Sequence, residues 1–203
     1  MIKLSIAQTA YITSAIIGGI LVICLIALLI FRNVYEKKHI RELTYLKLSK
    51  LAEYNDYLLL NNYRINIDDK HVAFIDHILI SDKYIILIND FAISGVLSGD
   101  FQSEQLTNTK KDGTDIVVNP LNLNINLMKR LVLFTGINQN MLKGLVVINN
   151  DSYINITNMS DQFKIVKRKD LYKSIKSFDK EEVGNLKEED VVKFINYLNE
   201  NNR

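Results

Sequence analysis

Residues 10–31, AYITSAIIGGILVICLIALLIF, carry no charged side chain. A helix rises 1.5 Å per residue, so roughly 20 apolar residues cross the hydrocarbon core of a bilayer. A soluble helix of this length shows a polar face, and this run has none. A cleaved leader fits poorly, because the apolar core is too long and no small-x-small site follows Phe31. A lipoprotein signal at Cys24 fits no better, because Ile23 precedes it and the apolar run continues past it. The run therefore divides the chain into a short extracytoplasmic N-terminus (1–9), a transmembrane helix (10–31), a charged juxtamembrane linker (32–45) and a folded domain (46–203).

The flanking charge gives an orientation. Lys3 stands alone before the run, whereas Arg32, Lys37, Lys38 and Arg41 follow it, with Glu36 and Glu42 among them. Basic residues beside a span are retained in the cytoplasm. The expected protein is single-pass in the cell membrane, with its C-terminal domain cytoplasmic, and the sequons at Asn150, Asn155 and Asn158 then have no role in glycosylation. Cys24 is the only cysteine among 203 residues, which excludes an intramolecular disulfide and a cysteine-based zinc cluster. All 23 acidic side chains and all but one of the 25 basic ones lie beyond the apolar run. The domain is thus almost neutral, which counts against a broad duplex-binding surface. An Asn-, Ile-, Leu- and Lys-rich composition with a single Pro fits an AT-rich bacterial genome.

Beyond the linker, Leu48, Leu51, Ala52, Leu58 and Leu59 recur at helical spacing and predict a helix over 46–60, with Glu53 and Asp56 as near neighbours. Residues 63–67 alternate as a short strand, and Asp68-Asp69-Lys70 reads as a turn. Three short strands follow: 71–80, which carries Asp76 and His77; 84–90, aliphatic until Asn89-Asp90; and one near 93–97, before Ser98-Gly99. Residues 101–106 extend the sheet, 108–113 (NTKKDG) form a polar turn, and 114–118 return as a strand. Asn119 and Pro120 suit the N-cap and first position of a helix. Leu123, Leu127, Leu131 and Phe134 share one of its faces, and Gly136 closes it. Strands at 143–148 and 163–166, a short helix at 169–177 and an amphipathic helix at 186–199, with Val191, Val192, Ile195 and Leu198 on one side, complete an α/β order with a mixed sheet flanked by helices.

Four stretches carry a resemblance. They are the helix LSKLAEYNDYLLL, the strand FIDHILIS, the strand end ILINDFAISGVLSG and the helix start NPLNLN. Together, in this order and spacing, the chain resembles the NERD (nuclease-related domain) family over about residues 46–198. That family is similar to the restriction-endonuclease-like, PD-(D/E)xK fold. The resemblance implies Glu53 at the acidic helix position, with Ala52 in place of Gly, and Asp76-His77 at the Ile-Asp-His strand. It also implies a metal site in which the strand Asp and the Glu of Glu-x-Lys hold Mg²⁺, the helix Glu assists, and the Lys activates water. Here the Glu of Glu-x-Lys falls on Asn89, its Lys on Phe91, and the Gln of the Asn-Pro-x-x-Gln helix on Leu123.

The candidate catalytic set is therefore Glu53, Asp76 and Asn89, a degenerate one. A metal would fall on Asp76 and Asp90 only in a rearranged site. Asp90 neighbours Asn89 on the strand, so its side chain points to the opposite face and enters the site only through a bulge or a one-residue slip. His77 alternates away from Asp76 and is expected to be structural. Phe91 cannot position water, and Asn89 is at best a neutral ligand where Mg²⁺ prefers charged oxygens. The expectation is a membrane-anchored, catalytically inactive NERD-like module that binds nucleic acid or protein and needs no cofactor. The alternatives are an Mg²⁺-dependent nuclease with a rearranged site, and a structural partner in a membrane complex.

Overall fold

A computed structural model describes residues 6–66 and 72–201. Ile67, the Asp68-Asp69-Lys70 turn and His71 lie outside the described residues. The chain divides into two compact units, Met1–Lys38 and His39–Arg203. The described residues of the first form one helix, α1 (Ile6–Lys38), which ends on Lys37 and Lys38. Every side chain from Tyr11 to Arg32 is exposed, so the apolar surface runs all round the helix. Its length and composition suffice to cross a membrane.

The second unit opens with α2 (Ile40–Asn55). This helix starts inside the stretch expected as linker, and it buries Ile40 and Thr44. It also ends early. Asp56 takes a left-handed conformation (φ 57°), and the N–H groups of Asp56 and Tyr57 both close on the Ala52 carbonyl. Leu58 and Leu59, expected on the helix, therefore begin β1 (Leu58–Asn66). β2 (Val72–Ile80) and β3 (Ile85–Phe91) follow, joined by a turn in which Ser81 exchanges backbone and side-chain bonds with Tyr84. Next come β4 (Val96–Asp100), β5 (Gln105–Lys110) and β6 (Gly113–Val118). α3 (Leu121–Thr135) leads to β7 (Leu142–Ile148), β8 (Tyr153–Thr157) and β9 (Phe163–Lys167). α4 (Leu171–Phe178) and α5 (Glu188–Asn201) complete the unit.

Two mixed sheets result, where the sequence suggested one. The larger has the order β1-β2-β3-β7-β9, and the smaller β6-β5-β4-β8. In the larger sheet β3 pairs antiparallel with β2 and parallel with β7, and β7 pairs parallel with β9. Such two-sided burial requires near-continuous apolar runs, and β7 is buried at every residue. One face packs with α2 and α4 through Leu48, Leu51, Leu79, Ile86, Ile88, Val147 and Phe178. The other packs with α3, α5 and the smaller sheet through Ile75, Ile78, Leu87, Leu97, Leu127, Val146 and Phe194.

The α3 cap reads as expected: Asn119 Oδ1 accepts the Leu121 N–H (3.1 Å), and Gly136 ends the helix at φ 72°. Phe134, however, is 58 % exposed and off the buried face, which runs through Leu121, Asn124, Leu127, Met128 and Leu131. Val192 of α5 is likewise exposed, and Phe194 takes the core position. The polar stretch 108–113 is mostly strand, because β5 continues to Lys110 and the turn tightens to Lys111-Asp112. β8 escaped the sequence reading, since its alternation is half polar (YINIT).

At Gly144 of β7 the chain tolerates no side chain. A Cβ there meets the Phe163 ring and lies 3.2 Å from the Asn124 Cβ of α3. Gly144→Val is expected to destabilise the protein by about 1–3 kcal/mol through overpacking. Urea denaturation of the full chain in mild detergent, followed by tyrosine emission, measures this; an unchanged midpoint contradicts the packing described.

Candidate functional site

The site arises where the β1–β2 ladder misses a rung. Asn61 pairs with His77 and Tyr63 with Ile75, while Asn62 and Asp76 between them are unpaired. Asn62 is left-handed (φ 59°), a conformation Asn adopts more readily than most residues. Both strands change face here. Ile75 and Ile78, three apart, join the same core, and so do Leu60 and Tyr63. Asp76 and His77 consequently both turn toward the α2 side. The β2–β3 ladder also ends at His77–Ile88, which leaves room for the Asp76 carboxylate beside the end of β3.

That carboxylate is filled by the chain itself. Asp76 Oδ2 accepts the Asp90 backbone N–H at 2.8 Å. Its Oδ1 lies 2.6 Å from Arg41 Nε of α2, an ionic contact without the alignment of a hydrogen bond. The Arg41 guanidinium also rests 5.2 Å from the Phe74 ring centre. The Asp90 carboxylate is buried as well: it accepts Thr44 Oγ1–H at 2.6 Å and lies 2.9 Å from His77 Nε2. His77 Nδ1 in turn lies 2.7 Å from Asn61 Oδ1, and Tyr45 stacks on the imidazole. One α2 turn, two carboxylates and an imidazole thus form a connected polar network under the helix.

Burial pushes the Asp76 carboxyl upward, against the opposing pulls of the Asp90 N–H and the Arg41 guanidinium; Asp90 nearby raises it further and His77 lowers it.

Of the expected site residues, Asp76 and Asp90 meet, but through the backbone N–H of Asp90 rather than through two facing carboxylates. β3 has no bulge or slip, since its ladder with β7 is regular through Phe91–Ile148. The change of face lies on β2 instead. Asn89 keeps to the opposite face of β3 and donates its amide to the Phe74 carbonyl at 2.7 Å, while its Oδ1 is buried without a hydrogen-bond partner among the described residues. Phe91 packs at the edge of the α3-side core. Glu53 is exposed on the last turn of α2, about 18 Å along the helix from Arg41 at 1.5 Å per residue. Glu53 therefore does not join Asp76. His77, expected to alternate away from Asp76, turns to the same side and is the direct partner of Asp90. Arg41, Thr44 and Asn61 were missed; the i, i+3 spacing of Arg41 and Thr44 was the available signal, hidden because both fell in the presumed linker. Among the described residues, no three His, Cys, Asp or Glu side chains gather as a metal centre.

The family model described as NERD, nuclease-related domain, matches residues 36–149, more than half of the chain. The match takes in α2 through β7 and stops short of β8, β9, α4 and α5. None of the curated proteins and none of the solved structures matches the chain.

The raised Asp76 carboxyl has a consequence for stability. Folding favours its protonated form, so this contribution is fully present below the unfolded value, about 3.9, and is lost as the pH rises through the folded value. Asp76→Asn cannot lose it. The stability of the Asn variant relative to the parent is therefore expected to increase as the pH rises across the acid range, as measured by denaturant unfolding at each pH. Parallel pH profiles for the two proteins contradict the assignment.

Proposed function

Because the chain belongs to the nuclease-related domain family, we propose that it is a catalytically inactive NERD protein, anchored in the membrane by residues 10–31, whose cytoplasmic folded unit binds nucleic acid or a protein partner. The observation that carries this reading is the end of β3. Asn89 and Phe91 stand where the family pattern has the Glu and Lys of Glu-x-Lys. Mg²⁺ is a hard cation that favours charged oxygen ligands. Here one oxygen of Asp76 accepts the Asp90 N–H, and the other faces the Arg41 guanidinium. The Asp90 oxygens are engaged by Thr44 and His77. Arg41 supplies the positive charge that a metal would bring, and a metal entering beside Asp76 has to displace it. The donor set does not fit Mg²⁺. With no charged side chain in residues 10–31 and Arg32, Lys37, Lys38 and Arg41 after them, the positive-inside rule supports the cytoplasmic orientation.

The full chain in detergent, incubated with single- and double-stranded DNA and with RNA in Mg²⁺ or Mn²⁺, is expected to cleave no more than its Asp76→Ala variant. Cleavage that Asp76→Ala abolishes overturns the inactive reading. The anchor has a separate test. Detergent is expected to release the protein from membranes, whereas about 1 M salt, which screens surface charge within about 3 Å, is not. Release by salt alone refutes the anchor.

A further inference from the structure

The near-neutral folded unit has a basic stretch at residues 167–176, KRKDLYKSIK, with five basic side chains and the acid Asp170. Lys169 and Lys173 are exposed there, whereas Lys167 lies over the Tyr153 ring, Arg168 is buried and Lys176 lies 3.7 Å from Asp179. α4 lies beside α2 on the same face of the larger sheet, so Lys47 and Lys50 join this group. Lys47 Nζ donates to the Arg168 carbonyl at 2.9 Å, and Lys176 Nζ to Asn55 Oδ1 at 2.8 Å. The first bond joins α2 to the turn that leads into α4, the second joins the two helices, and between them lies a groove of about 400 Å³, floored by Leu48, Leu51 and Leu171. Its rim carries Tyr54, 85 % exposed, and Tyr172, 53 % exposed. Lys50, Lys169 and Lys173 are exposed.

The geometry points to this α2–α4 face as a docking surface for anionic phospholipid headgroups, an inference that rests on the membrane-anchor reading above. Tyrosine and lysine over an apolar floor is interfacial chemistry: the ring sits at headgroup level, the alkyl stem of lysine lies along apolar atoms, and its ammonium reaches phosphate. Retention of positive charge beside a span accounts for Lys37, Lys38 and Arg41. It does not account for residues 167–176, which are far from the span in sequence. Lipid is favoured over a diffusing polyanion because a near-neutral domain steers long-range encounter weakly. A domain joined to the span with only His39 between α1 and α2 meets lipid at the high effective concentration of a tether. Each lysine near an anionic surface then strengthens docking by about fivefold.

The test uses the full chain in lipid nanodiscs, either wholly phosphatidylcholine or with about one-third phosphatidylglycerol, a leaflet charge high enough to attract basic segments. Lysines are footprinted with a neutral water-soluble acylating reagent and located by mass spectrometry. Lys50, Lys169 and Lys173 are expected to react several-fold more slowly on the anionic discs, while Lys193 on α5 reacts equally on both. High salt is expected to remove the protection. Tyr54→Ala combined with Tyr172→Ala is expected to weaken it without changing Lys193, which a general effect of the charged disc does not do. Equal rates on the two discs overturn the docking surface while leaving the anchor intact. Failure of the chain to enter discs overturns both. Protection on phosphatidylcholine discs by an added single-stranded oligonucleotide, exceeding that on anionic discs alone, overturns lipid as the occupant.

Discussion

The parallel seam between β3 and β7 is the constraint on which the rest of the fold depends. It runs for seven residue pairs, from Ile85–Leu142 to Phe91–Ile148, with protein packed on both faces. Strands in such a position must be apolar on successive residues, and β3 is apolar through Ile88. Its polar residues begin where its ladder with β2 ends. The candidate site is therefore placed by the point at which the central strand loses an antiparallel neighbour while keeping the parallel one. The gap on the β2 side is taken by the Asp76 carboxylate, and the Asp90 N–H, without a β2 carbonyl to meet, bonds that carboxylate instead.

This network does structural service on its own terms. Two buried carboxylates lie close together, an arrangement that costs free energy unless each is matched. Arg41 answers one; Thr44 and His77 answer the other. The partners come from α2, β1 and β2, so the network ties the first helix of the unit to the middle of its main sheet. The network is in this way a polar pin beneath a helix, with the Arg41 guanidinium beside the Asp76 carboxylate.

Much of the fold was legible in the sequence because its signals are local. The apolar run 10–31, the fully buried strand at 143–148, the Asn119-Pro120 helix start and the Gly136 stop each follow from neighbouring residues alone. The motif order also carried the family, which the match over residues 36–149 bears out. The site was less legible because its geometry is relational. The change of face at Asp76 depends on a left-handed Asn62 in the partner strand, which alternation within β2 does not encode. Arg41 and Thr44 were hidden because α2 begins where Ile40 and Thr44 are buried, without a side-chain cap to mark its start. Glu53 was placed near Asp76 by analogy of motif, and the rise of α2 carries it three turns away.

The connection between the two seam strands has a further consequence, for the order of assembly. Residues 92–141, which include β4, β5, β6 and α3, intervene between β3 and β7. Closing so long an excursion costs entropy before the seam repays it, and non-local parallel pairing of this kind is slow. Synthesis delivers the N-terminal helix first, and β7 emerges more than a hundred residues after it. The main sheet therefore closes late, on a chain whose apolar leading helix has already left the ribosome. Until then the aliphatic β3 lacks its parallel neighbour, so the interval before β7 arrives is when this protein is most exposed to aggregation.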